Sequence, residues 1–244
     1  MHWLTAFLDL APEDFDRGVE FWQGVTGYAV SPPRGPDGEF VSFVPPAGDV
    51  HLKAQRIRRG PSKLHLDLHV EDLEAAVVDA EALGASVKQR HELGYVVLSS
   101  PGGFVFCVVT HPGSEAPPPP VVDQVCLDVP GPAYERECEF WRRLTGFEGA
   151  SVGEHPEFRR LNPPHEQPLQ LLLQRLQEPP GPVRAHFDLA ASDQQAEVER
   201  HRALGAKVGA AGDGWVVMEP PAGPVYCITG RSPGMRMLAG DGTG

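Results

Sequence analysis

Two short segments concentrate the side chains able to bind or transform a small molecule. His65, Asp67 and His69 alternate with apolar residues in HLDLHV, and His186 and Asp188 hold the first two of these places in HFDLAA. Such alternation belongs to a β-strand with one apolar and one polar face. The imidazole and carboxylate of each pair therefore point the same way, about 6–7 Å apart along the strand. That spacing suits two contacts to one ligand, or a bridging water, better than a direct charge relay. A histidine titrating near neutrality could serve as a general base, so His65 and His186 are the candidate catalytic residues, with an aspartate as acid or orienter. The same groups would equally make a hydrogen-bonded polar floor, because enclosed polar side chains are costly unless satisfied.

Other residues join these by pattern. In TAFLDL, Thr5, Phe7 and Asp9 take the face opposite Ala6, Leu8 and Leu10, and Asp128 matches Asp9 later in the chain. Tyr95 and Trp215 each follow a glycine on a late strand, where an aromatic ring could wall a pocket. Asp9, Asp67, His69, Tyr95, Asp128, Asp188 and Trp215 are thus the candidate ligand-binding residues. His51 and Lys53 have Gln170 and Leu172 in their places in the second copy, so any role is expected in the first copy alone. The remaining histidines, His201 among them, are expected at the surface. Trp22 and Trp141 sit on apolar helix faces and are expected in the core.

The elements that must position these groups occur twice. FDRGVEFWQGVTGY (15–28) recurs as YERECEFWRRLTGF (134–147), HLDLHVEDLEAAVVDAEALGASV (65–87) as HFDLAASDQQAEVERHRALGAKV (186–208), and GYVVLSSPGGFVFCVV (94–109) as GWVVMEPPAGPVYCIT (214–229). Three blocks in one order at nearly constant offset are an internal duplication. We place the copies at 1–116 and 117–232, with a proline-rich linker over 113–120 and a flexible tail over 233–244. Phe15, Val19, Trp22 and Val25 are spaced as one helix face. A second helix is expected over about 72–83, ending at Gly84, and Ser192 with Gln195 reads as a capping box for its repeat. Each copy reads as a doubled β-α-β-β-β unit, four units in all.

Composition narrows the function classes. Apolar residues make up 41% of the 244, enough for a core, and the formal net charge is −12. Both halves are acidic, so no basic tract exists to displace counterions from nucleic acid or to hold an anionic membrane. No stretch approaches the roughly 20 apolar residues of a membrane span. Four cysteines without a CxxC pair suggest neither a disulfide framework nor a structural zinc site. A cytoplasmic protein that binds a small molecule is expected, a monomer in which the duplication supplies domain pairing within one chain. No nucleophile elbow, phosphate loop or dinucleotide fingerprint is present.

The helix ending in V/L-T-G-Y/F, the H-x-D-L strand with L-G-A after its helix, the Gln55-Arg56 and Gln174-Arg175 pairs and the closing F-C-V strand together resemble the vicinal oxygen chelate superfamily, closest to its glyoxalase-like and bleomycin-resistance branch. The resemblance implies an α+β fold in which paired βαβββ units form two curved-sheet cups around small-molecule sites. It also implies a metal held by a first-strand His, a fifth-strand His and an eighth-strand Glu. Here those positions fall on Thr5, His65 and Cys107 in the first copy and on Gln124, His186 and Cys227 in the second. Zinc, nickel or manganese are the metals such residues could hold. Against that, both cysteines stand among apolar neighbours, where a thiol is a small hydrophobe, and the expectation is of no tightly bound catalytic metal. The resemblance implies a binding protein for a small organic metabolite, or alternatively a metal-assisted lyase, isomerase or dioxygenase-type enzyme.

Overall fold

The computed structural model describes residues 3–110, 122–153, 155–164 and 167–233. The linker expected over 113–120 lies outside them, as does the tail from 234 onward. In the first copy β1 (Trp3–Leu10) leads into α1 (Phe15–Thr26), β2 (Ala29–Val30), β3 (Phe40–Val44) and β4 (Leu52–Arg56). The second unit repeats this as β5 (Lys63–His69), α2 (Leu73–Ala82), β6 (Ser86–His91), β7 (Tyr95–Ser99) and β8 (Val105–Val109). All eight strands form one sheet, ordered β2-β3-β4-β1-β5-β8-β7-β6. β1 pairs antiparallel with β5 at the centre, while each unit's first strand lies parallel to its last.

The second copy reproduces this arrangement. Its elements are β9 (Val122–Pro130), α3 (Tyr134–Thr145), β10 (Glu148–Val152), β11 (His155–Asn162), β12 (Gln170–Leu176), β13 (Arg184–Ala190), α4 (Gln194–Ala203), β14 (Lys207–Gly212), β15 (Trp215–Glu219) and β16 (Tyr226–Thr229). The sheet order is β10-β11-β12-β9-β13-β16-β15-β14. No helix among the described residues is long and apolar enough to cross a membrane.

Local chemistry explains the repeated T-G after the first helix of each copy. The Thr26 hydroxyl donates to the Trp22 carbonyl at 2.7 Å, and Thr145 does the same to Trp141. Gly27 and Gly146 then close the helices at φ 68° and 71°, a left-handed cap that glycine adopts without a Cβ penalty. The second helices are capped by aspartate: Asp72 accepts from the Ala75 N–H and Asp193 from the Ala196 N–H, both at 3.0 Å. The cap of α4 is therefore Asp193 rather than the Ser192–Gln195 box, because the helix starts one residue later than that box requires.

α1 and α3 hold the two copies together. Trp22 of α1 packs edge-on against Phe187 of β13 at 5.2 Å, and Phe21 lies beside Tyr226 and His201. Reciprocally, Phe140 and Trp141 of α3 pack against Phe106 of β8, with Phe104 beside Trp141. Each helix buries apolar residues on two sides, so its apolar face is wider than the stripe through Phe15, Val19, Trp22 and Val25. One core results. His201 is part of it, fully buried with Nδ1 2.7 Å from the Tyr226 hydroxyl, not at the surface as its lack of sequence partners suggested.

Candidate functional sites in the two cups

Strand register sets the first site. In the antiparallel pair β1/β5, Phe7 lies opposite His65 and Thr5 opposite Asp67; across β5/β8, Asp67 lies opposite Cys107. On the other flank Lys53 of β4 is the partner of Phe7, and Gln55 of Asp9. Alternation sends Ala6, Leu8, Leu64, Leu66 and Leu68 into the core and leaves the polar set on the concave face. There a cavity of about 430 Å³ is lined by Phe7, Asp9, Lys53, His65, Asp67 and Cys107, with Arg34, Phe40 and Tyr95 among its walls.

At its floor, His65 Nδ1 lies 2.8 Å from Asp9 Oδ1 and Nε2 lies 3.6 Å from Asp67 Oδ1. The Phe7 ring stacks on the imidazole at 4.5 Å, and the Lys53 ammonium sits 5.3 Å over the same ring. Burial alone would lower the His65 pKa, but the Asp9 charge and hydrogen bonds of His65 with Asp67, Asp9 and Cys107, the carboxylates accepting, outweigh it and hold the value well above the ordinary one. The two carboxylates thus favour the protonated, proton-donating form of His65 over the neutral base that its sequence setting suggested. Burial raises the Cys107 thiol although His65 pulls it down, and burial lowers Lys53, which Asp67 draws back up.

The second cup repeats the floor. His186 Nδ1 is 2.9 Å from Asp128 Oδ2, Nε2 is 3.4 Å from Asp188 Oδ1, and Gln124 Nε2 donates to the other Asp188 oxygen. The His186 pKa is likewise raised: burial opposes, while Cys126, Asp128 and Asp188 prevail. The Cys126 thiol is pushed up to about 12 by burial. Here the cavity is smaller, about 280 Å³, and is lined by Cys126, Leu172, Trp215 and Val217 together with Gln124, Asp188, Cys227 and Arg160.

Most sequence-selected residues therefore converge: Asp9, His65, Asp67, Tyr95 and Cys107 line the first cavity, and Gln124, His186, Asp188, Trp215 and Cys227 the second. Two do not. His69 shares the face of His65 but lies at the strand end, 3.0 Å from the Thr5 hydroxyl and off the cavity wall. Asp128 reaches its cup only through His186. His51 is buried edge-on to Tyr28, its pKa brought down to about 4 by burial. Arg34 and Arg160 were missed. Neither lies in a motif that alternation marks; the bridge of Arg34 to Phe40 brings the one to its cup and the β11/β12 register the other.

Three donors approach one another closely enough for a metal in each cup. His65, Asp67 and Cys107 offer ligand atoms within 4.8 Å of one another, as do His186, Asp188 and Cys227, and also Cys126, Asp128 and His186. A mixed nitrogen, oxygen and sulfur set suits a borderline cation such as zinc, and Asp9 on His65 Nδ1 would orient the imidazole for ligation. The donor chemistry fits a metal whose binding would have to displace protons from His65 and Cys107.

The model of the glyoxalase-like domain family matches residues 5–109 and again 124–229. No match is found among curated proteins. Among solved structures, the chain superposes on the Mn(II)-bound glyoxalase from Novosphingobium aromaticivorans with TM-score 0.60 at 17% identity, covering 93% of this chain and 80% of that one. For homoprotocatechuate 2,3-dioxygenase from Arthrobacter globiformis the TM-score is 0.60 at 14% identity, over 93% and 78%. A xylose isomerase-like TIM barrel/4-hydroxyphenylpyruvate dioxygenase fusion protein gives 0.64 at 13% identity, where this chain covers 49% of the larger one. These likenesses concern the fold. With two family matches in tandem, eight-stranded sheets of one order and a cup on each, the chain belongs to the glyoxalase-like domain family of the vicinal oxygen chelate superfamily.

Proposed function

We propose that this protein binds a small oxygenated organic metabolite in its first cup, with a flat apolar part against Phe7, Phe40 and Tyr95 and an oxygen held by Lys53 and His65. One observation carries the reading: Lys53, Phe7 and His65 form a single register row across β4, β1 and β5. Adjacent strands lie about 4.8 Å apart, so the Lys53 amine and the His65 imidazole flank one aromatic ring inside the cavity. Among the described residues Lys53 makes no side-chain hydrogen bond, and His65 Nε2 lies 3.6 Å from its nearest carboxylate oxygen, Asp67 Oδ1. Recognition of an oxyanion or polarised carbonyl beside a planar group follows from that row.

Thermal shift against small aromatic and aliphatic carboxylates and hydroxy-carbonyl compounds tests this. A ligand at a hundred times its Kd should add about 2.7 kcal/mol of stability, and Lys53→Leu should abolish most of that gain. If no compound raises the melting temperature, or if the gain survives Lys53→Leu and His65→Gln, the reading fails.

The convergence of His65, Asp67 and Cys107 favours a second reading, a metal-assisted lyase or isomerase acting on a carbonyl or hydroxylated substrate. When bound by these three residues, zinc, nickel or manganese would supply Lewis-acid polarisation of a substrate oxygen. Phe7 and Tyr95 would position the substrate, and Lys53 would hold its charged end. Elemental analysis of protein purified without chelators decides between them. Stoichiometric metal that is lost in Cys107→Ala supports the second reading, and ligand binding undiminished in metal-free protein supports the first.

A further inference from the structure

The two cups differ at one pair of positions whose exchange alters what each can bind. Across β3/β4, Ser42 is the partner of Lys53; across β11/β12, Arg160 is the partner of Leu172. Leu172 in turn pairs with Cys126, which lies opposite His186, so Leu172 stands where Lys53 does and Arg160 where Ser42 does. The second cup has kept a cation but moved it one strand outward. A leucine fills the vacated place.

Arg160 is only 7% exposed, lines the second cavity and has no hydrogen-bond partner for Nε. Among the described residues it forms no side-chain hydrogen bond or ion pair. The nearby charges are committed elsewhere. Arg231 binds Asp123 through two bonds of 2.8 Å, and Asp188 faces His186 and Gln124. A guanidinium does not shed its proton in a protein, and although Asp123 and Asp188 attract Arg160 at a distance, neither touches it, so its fork stays open toward the cavity. Leu172, Val217, Phe158 and Trp215 give the wall an apolar side, which suits an apolar body, while Gln174, Thr229 and Arg231 line the rest. The planar fork of arginine matches a carboxylate bidentately. Asp188 at the floor disfavours a doubly charged ligand.

We infer that the second cup is a distinct site for a small monocarboxylic acid with an apolar or aryl body, its carboxylate on Arg160 and its body against Leu172, Val217 and Trp215. This site does not depend on the occupant of the first cup. Lys53 and Arg160 would give the two cups different ligand geometries, with the anion inboard in one and outboard in the other.

Phenylacetate and its neutral isostere phenylacetamide are suitable probes, titrated by calorimetry and by the fluorescence of Trp215, the three other tryptophans being fully buried. The acid should bind at least tenfold tighter than the amide in wild type and in Lys53→Leu. That preference should fall to about one in Arg160→Leu and Arg160→Gln. Removing a buried charge that no carboxylate touches should also leave the ligand-free melting temperature of these variants equal to or above that of wild type. Equal binding of acid and amide, or absence of binding, overturns the inference, as does a preference that survives both Arg160 variants. Loss of the preference in Lys53→Leu would place the anion in the first cup and support the earlier proposal instead. A lowered melting temperature in both Arg160 variants would show a structural partner for the guanidinium and also overturn it.

Discussion

Glu137 on α3 is a fully buried carboxylate at the junction of the two copies, and its replacement by alanine should cost about 3 kcal/mol of stability. It accepts from the Ser100 hydroxyl at 2.6 Å, from the Gly102 N–H, and from Trp141 Nε1 at 2.9 Å. Ser100 and Gly102 belong to the first copy, so two of the three bonds cross the junction, next to a Val183 N–H to Gly102 carbonyl bond of 2.9 Å. Alanine would leave three donors buried without an acceptor, each worth about 1–3 kcal/mol when orphaned. Part of that loss is offset because the carboxylate itself is costly to bury: burial raises its pKa, while the bonds from Ser100, Gly102 and Trp141 pull it back. Glutamine retains one acceptor oxygen and removes the charge, so its cost should stay near 1 kcal/mol.

For a chain of this size a loss of 3 kcal/mol corresponds to a melting-temperature drop of roughly 6–12 °C, measurable by calorimetry with urea denaturation as a check. A Cβ at Gly102 would lie 2.4 Å from Glu137 Oε1 and 2.6 Å from a Val183 methyl. Gly102→Ala should therefore be less damaging beside Glu137→Ala than alone, by about 1 kcal/mol of coupling. An alanine cost below about 1 kcal/mol would refute the assignment of these bonds as a stabilising junction. A glutamine cost equal to that of alanine would show that the charge, not the acceptor capacity, is what matters.

Two further outcomes follow from the titratable groups. Burial lowers the pKa of His201 to about 4 in the folded state, so its contribution is complete above the unfolded value of 6.5 and is lost as pH falls from there toward 4; His65 and His186, raised in the folded state, contribute fully below 6.5 and lose that contribution as pH rises through their folded values. Melting temperature against pH should thus have two limbs, and His201→Gln should reduce the acid limb, leaving the share of His51, whose pKa burial also lowers to about 4, without altering the other limb; an unchanged acid limb contradicts the assignment. Burial holds all four cysteine thiols protonated, with Cys138 raised to about 11 and Cys126 to about 12. An aromatic disulfide reagent at pH 7.5 should label the native protein slowly and all four thiols at once after unfolding, and rapid native labelling of Cys107 would show a thiolate there.

Much of the fold was legible because duplication repeats every local signal. The apolar face of Ala6, Leu8 and Leu10, the T-G caps and the HLDLHV alternation each recur about 120 residues later, so a pattern seen once could be checked against its copy. The floors of the cups were legible for the same reason: a period of two places Asp9, His65 and Asp67 on one face whatever the register. His201 was not legible. Its helix carries little apolar periodicity, and its burial comes from Tyr226 and α1, elements remote in sequence.

The sequence by itself determined the strands, the helices, the duplication and which side chains share a face, because these depend on periods of two and 3.6 residues and on caps within one turn. Tertiary structure alone decided three matters. It set the register that brings Lys53, Phe7 and His65 into one row and exchanges Lys53 and Ser42 for Leu172 and Arg160. It placed two carboxylates beside each histidine, which favour the protonated imidazole over the expected neutral base. It also crossed α1 and α3 between the copies. Each of these depends on neighbours far apart in the chain, and a strand's own alternation carries no record of which strand will lie beside it.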